Sequence, residues 1–120
     1  EAAALSKMAE RGQIKGALVD GPLAMDNAIS LDAAQTKGIT SAVAGQADVL
    51  IAPDLEAGNI LAKQLTFMAN ADAAGIVLGA RVPIILTSRA DNVRSRRASA
   101  ATAVMHAHAL RKNAVAGFKR

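Results

Sequence analysis

Apolar and polar positions along the chain fall into alternating helical and extended patterns. Residues 2–11 (AAALSKMAER) set Leu5, Met8 and Ala9 on one helical face, and Gly12 follows as a stop. Ile14 to Val19 reads as a short strand that ends at the Asp20-Gly21-Pro22 turn signal. Residues 23–37 read as a loop entering a helix closed by Gly38, and Asp48 to Ala52, bounded by Pro53, has the unbroken apolar character of a strand buried on both faces. The next helix opens with Asp54 as N-cap and Glu56 in its first turn. Ala57, Leu61, Leu65 and Met68 keep helical spacing, and Glu56, Asn59 and Lys63 share the opposite face. Gly75 to Leu78 and Val82 to Thr87 are further strand candidates, the second with Pro83 near its first residue, where proline is tolerated. A long Ala-rich helix runs from Asp91 to about Asn113. There is no fixed-period repeat and no Pro-, Ser- or Gly-rich linker.

Strands alternating with helices predict an α/β fold with a largely parallel sheet and flanking helices. Ligands of such sheets gather at the carboxyl ends of the strands. Three junctions therefore matter: Asp20-Gly21-Pro22, Pro53-Asp54-Leu55 and Thr87-Ser88-Arg89. The third is chemically the richest. Ser88 brings a hydroxyl and Arg89 a planar fork of donors, at a point where a strand gives way to a helix N-terminus that favours an anion.

Composition changes this picture in three ways. The chain has 120 residues, 29 of them Ala, with 2% aromatic residues, so an independent core would be thin. The net charge of +4 conceals a split, −4 over residues 1–80 and +8 over residues 81–120, which concentrates attraction for anions in the last third. Nucleic-acid backbone, a membrane surface and a phosphorylated small molecule all answer to that charge. Finally, there is no Cys, which excludes a disulfide framework, a thiolate zinc site and a cysteine nucleophile. No apolar run reaches the roughly 18 residues of a membrane span. A soluble, cytoplasmic protein is the expectation.

Three stretches carry a resemblance. DGPLAMDNAIS (20–30), ADVLIAPDLEAGNILAKQL (47–65) and PIILTSRAD (83–91) together resemble the phosphate acetyltransferase and phosphate butyryltransferase family, over roughly residues 14–105. The SRAD and DGPLAMDNA forms look more like the butyryltransferase branch and the acetyltransferases fused to a hydratase-like domain. The resemblance implies the C-terminal part of a three-layer architecture like that of isocitrate and isopropylmalate dehydrogenases. Residues 1–86 would then belong to the second α/β lobe, and residues 87–120 would form the Ser-Arg junction and the long helix returning to the first lobe.

It also implies reversible acyl transfer between coenzyme A and inorganic phosphate through a ternary complex, without metal or covalent intermediate. Carried over by position, Ser88 and Arg89 match the family's Ser-Arg pair in the interdomain cleft. An aspartate is proposed to take the proton from the coenzyme A thiol. Where the acetyltransferases with an SRG form carry it, this chain has Ser95, and Asp91 is the one carboxylate of the region, hence the candidate base. A thiol of pKa about 8.5 becomes a far better nucleophile when a carboxylate accepts its proton. Arg89 would stabilise negative charge on phosphate or on the tetrahedral intermediate. Candidate substrate-binding groups are Asp20, Asn59, Lys63 and Arg94.

Each candidate has a plainer reading. Asp91 suits a helix N-cap, Ser88-Arg89 a turn with a surface arginine, and Asp20 a turn former ahead of Gly21-Pro22. Asn59 and Lys63, four apart, face either a phosphate or water. His106 and His108 are two apart, some 200° around a helix, which does not suit a metal pair, and no metal is expected. Arg94 and Arg97 share a face with no interleaved aromatics, which favours solvation or the phosphates of coenzyme A over nucleic acid.

Family members have about three hundred residues in two lobes, so the resemblance implies a C-terminal fragment lacking the first lobe, inactive alone, in an enzyme that is a homodimer or higher. The alternatives are a non-catalytic subunit-assembly or anion-binding α/β module, and a nucleic-acid binder using the basic tail.

Overall fold

The structure, a computed structural model, describes residues 1–117, with side-chain surroundings as far as residue 112; the last residues of the basic tail, 118–120, lie outside the described residues. The chain divides into two compact units, Glu1–Pro53 and Asp54–Arg120.

The first unit contains α1 (Ala2–Glu10), α2 (Met25–Ile29) and α3 (Leu31–Thr36). Its core is built from small side chains, with Ala28, Ala34 and Ala44 buried. Ser6 of α1 is buried too, and its hydroxyl reaches the carbonyls of Ala2 at 3.0 Å and Gly21 at 3.1 Å, which ties the helix to the turn at Gly21. The single helix expected within 23–37 is two. Ser30 adopts an extended backbone (φ −122°, ψ 117°), and its Oγ accepts the Ala33 N–H at 3.3 Å, so this residue ends α2 and caps α3. A serine that can bond a nearby backbone N–H competes with helix continuation. Lys37 donates to Asp26 Oδ2 at 2.7 Å, and this bond holds the Asp26 carboxyl below the usual carboxylate range.

The segment after α3 returns against α2, where Gly45 N–H donates to Asn27 O at 2.7 Å and Ala47 N–H to Ala28 O at 3.1 Å. Gly45 sits at φ +84°, and a Cβ there would stand 2.5 Å from Leu31 Cα and 2.8 Å from Leu31 N. Both the backbone conformation and the close approach require glycine.

In the second unit the predicted cap is present: Asp54 Oδ1 accepts the Ala57 N–H at 2.7 Å and starts α4 (Leu55–Lys63). The helix then widens into a π-helical turn over Gln64–Met68, closed by Ala69 N–H to Gln64 O at 3.1 Å. Thr66 Oγ1 bonds back to Ala62 O at 2.9 Å, the kind of side-chain insertion that loosens a helical ladder.

β1 (Gly75–Val77) and β2 (Ile84–Leu86) follow, paired Gly75 with Leu86, Ile76 with Ile85 and Val77 with Ile84. The mixed helix-and-sheet reading holds, but the expected largely parallel pairing is corrected here, because these two strands are antiparallel. The connection spans only residues 78–83, whereas a crossover between parallel strands takes about a dozen residues or more. The strands expected at Ile14–Val19 and Asp48–Ala52 are not formed. Val49 and Ile51 are 73% and 84% exposed, and with no neighbouring strand among the described residues their backbone has no ladder to join.

α5 (Val93–Gly117) packs on both strands. Ser99, 1% exposed, accepts the Gly75 N–H at 3.0 Å and donates to Ser95 O at 2.8 Å. Gly75 permits this strand pairing, since a Cβ there would lie 2.6 Å from Leu86 O. None of the described helices is long and apolar enough to cross a membrane.

Two substitutions test these close contacts. Gly45→Ala is expected to destabilise the first unit by about 3 kcal/mol, read as a lowered urea midpoint. Ser99→Ala leaves the Gly75 N–H without its acceptor and is expected to cost about 1–3 kcal/mol in the second unit; an unchanged midpoint in either variant would contradict the corresponding contact.

Candidate functional site

The residues from Thr87 to Asn92 join the end of β2 to the start of α5 and contain neither proline nor glycine. Their shape is set by side chains bonding to backbone. Asp91 Oδ2 accepts the Ser88 N–H at 2.6 Å, Asp91 N–H donates to Ser88 O at 3.1 Å, and Ser88 Oγ accepts the Ala90 N–H at 3.3 Å. The N-cap reading of Asp91 is corrected. Asn92 caps α5, its Oδ1 accepting the Ser95 N–H at 2.9 Å, and the half-buried Asp91 carboxylate turns back onto the loop. A carboxylate that bonds a backbone N–H one turn away competes with the capping position and leaves it to the next residue.

A groove of about 650 Å³ runs between this loop and the face of α4. Asn59 and Lys63, one helical turn apart, line one side, the π-helical turn adds Phe67 and Met68, and the loop contributes Ser88 and Ala90. Lys63 Nζ lies 5.5 Å from the centroid of the Phe67 ring, within range of a cation–π attraction. Such a groove offers apolar walls to an aliphatic or aromatic group, with an ammonium and a hydroxyl at hand for a polar one.

Of the residues singled out from the sequence, Asn59, Lys63 and Ser88 come together in this groove. Arg89 stands on the same loop and is exposed. Arg94 is placed elsewhere: its guanidinium forms an exposed ion pair with Asp72. Asp20 belongs to the other unit, where its Oδ1 accepts the Gly21 N–H at 2.8 Å beside a depression also lined by Glu10, Thr40 and Ser41. His106 and His108 are half-buried and exposed on α5.

Three residues outside the candidates contribute here. Phe67 and Met68 continue the rows of Asn59–Lys63 and Ile60–Gln64 at four-residue spacing into the π-helical turn and line the groove. Arg96 bonds three carbonyls of the loop. Its position in the first turn of α5 is a usable signal, because helical side chains lean toward the N-terminus and so toward the preceding loop.

Comparison with known proteins agrees with the motifs. Residues 1–104 match the family described as phosphate acetyl/butaryl transferase. The chain is 68% identical over 107 residues to a phosphate acetyltransferase of Rhizobium meliloti, covering 89% of this chain and 34% of that protein. It is 49% identical over 105 residues to a phosphate butyryltransferase of Clostridium beijerinckii, covering 88% of this chain and 35% of that protein. Among solved structures, a branched-chain phosphotransacylase from Enterococcus faecalis superposes with a TM-score of 0.72 at 36% identity, over 88% of this chain and 39% of the other. The chain thus spans about a third of the length of the curated relatives it matches. With the family's match running through most of the chain and its fold shared by a solved relative, the chain belongs to the phosphate acetyl/butaryl transferase family.

Proposed function

We propose that the chain is the part of a phosphate acyltransferase that carries the Ser-Arg loop, in an enzyme that moves an acyl group between coenzyme A and inorganic phosphate. The observation supporting this reading is the meeting of Ser88 with Asn59 and Lys63 in one groove, in a chain whose relatives are named phosphate acetyltransferase and phosphate butyryltransferase. In one direction a phosphate oxygen attacks the thioester carbonyl, the carbon–sulfur bond breaks, and acyl phosphate and the coenzyme A thiol result. In the other, the thiol sulfur, its proton taken by the carboxylate, attacks the carbonyl carbon of acyl phosphate, the carbon–oxygen bond to phosphate breaks, and the thioester and inorganic phosphate result.

Both substrates are held together in a ternary complex. Arg89 carries the phosphate or the developing oxyanion, and Ser88 donates a hydrogen bond to it. Asp91 Oδ2 is engaged with the Ser88 N–H, so the thiol proton goes to Oδ1. Asn59 and Lys63 bind a polar or phosphorylated portion of coenzyme A along the groove, with Arg94 a secondary contact after release of its exposed pair with Asp72; Asp20 is proposed as a substrate contact of the first unit by itself. Residues 1–86 and 87–120 are assigned to the second lobe and to the return toward the first. A homodimer or larger assembly in the cytoplasm completes the reading. The remaining polypeptide of the family fold supplies the rest of the site, and the chain alone does not turn over.

A second reading, a subunit-assembly module, is favoured by one observation. Large apolar side chains are exposed along α4 and the turn after it, including Leu55 and Met68, each 82% exposed. Exposed patches of this kind mark interaction surfaces. It is compatible with the first, since a fragment of an acyltransferase needs such a surface to meet the rest.

Coenzyme A titrated against the chain is expected to bind, and Ser88→Ala or Arg89→Ala to weaken that binding by about tenfold or more. Acetyl-CoA or butyryl-CoA with phosphate is expected to give no turnover by the 120-residue chain alone. Indifference of binding to both substitutions would remove the site, and normal turnover would refute the requirement for the remaining polypeptide.

A further inference from the structure

Arg96 is spent on the loop rather than on solvent. From the first turn of α5 its Nε donates to Asp91 O at 3.1 Å, and its Nη2 donates to Ser88 O at 3.1 Å and, more weakly, to Arg89 O at 3.4 Å. The Ser88 peptide unit is thereby gripped from both sides, its N–H by the Asp91 carboxylate and its carbonyl by the Arg96 guanidinium. These are charge-assisted bonds, the stronger kind. They act on a loop with no proline to restrict it, so the direction of the Ser88 hydroxyl and of the Arg89 side chain depends on them.

We propose that Arg96 is a positioning residue for the Ser88-Arg89 pair: it touches no substrate and acts by fixing the backbone from Ser88 to Asp91. This rests on the acyltransferase reading above. The role requires a guanidinium, because carbonyls at the two ends of the loop are met by two nitrogens of one planar fork, whereas a lysine ammonium is a single point charge on a flexible stem.

The test has two arms on the full 120-residue chain. In the first, amide hydrogen exchange is followed by NMR. Arg96→Ala is expected to speed exchange of the Ser88 and Asp91 amides by about tenfold or more, leaving the α5 amides from Ala101 to Val104 as they were. Unchanged loop exchange would overturn the proposal, and so would faster exchange along the whole helix, which would make Arg96 a support of α5 instead.

In the second arm coenzyme A is titrated against the wild-type chain and its variants. Arg96→Ala is expected to weaken binding by about tenfold, Arg96→Lys to restore little of it, and methylguanidinium at millimolar concentration to restore most of it. Arg111→Ala, which removes the same charge further along α5, is the control and is expected to bind as wild type. Wild-type binding combined with an indifferent Arg96→Ala would overturn the role of Arg96 alone. A wild-type chain that binds no coenzyme A would overturn the acyltransferase reading and the positioning role with it.

Discussion

The hydroxyl of Ser99 is the contact on which the second unit depends. It is the most deeply buried side chain described, and it joins a backbone N–H of β1 to a carbonyl of α5. Gly75, the donor, is also the residue whose missing Cβ lets β1 approach Leu86 of β2. One hydroxyl and one absent methyl group therefore fix strand, strand and helix to one another, with little help from large apolar side chains. The loop from Thr87 to Asn92 hangs between the two elements so fixed, and its ends cannot drift apart. Within that frame Asp91 and Arg96 set the local shape, and the groove beside α4 receives Ser88.

Much of this was readable wherever a feature is decided locally. Asp54 caps α4 because its carboxylate reaches an N–H three residues on, and the residues needed for that are adjacent in the chain. Asn59 and Lys63 share a face for the same kind of reason. The loop after β2 stands out in the sequence through its motif, and it lies beside the groove. What escaped was decided by partners distant in sequence or by competition between near-equals. Asp91 and Asn92 are both good caps, and the bond from Ser88 N–H to Asp91 settles the choice. Arg94 is drawn off by Asp72, twenty-two residues earlier. The apolar runs at 14–19 and 48–52 have strand character, but a strand is a paired state, and these runs find no partner among the described residues.

The thin, Ala-rich core and the exposed apolar residues describe the same condition from two sides. In the first unit the buried apolar positions are alanines, while larger groups such as Leu18 and Leu31 remain exposed. A chain that spans a third of its relatives' length carries side chains whose partners, in those longer proteins, have room to lie elsewhere in the sequence. Six of the nine basic groups of residues 81–120 lie on the loop and helix that present Ser88 and Arg89.

On the proposed function, the loop of residues 88–91 and the groove beside it form one ligand site for coenzyme A. Chemical-shift mapping of the isotopically labelled chain during a coenzyme A titration tests it most directly. Perturbations are expected to concentrate at Ser88 to Asp91 and on α4 and its π-helical turn from Asn59 to Met68. Perturbations confined to the first unit or to the later turns of α5, with that loop and groove silent, would contradict it.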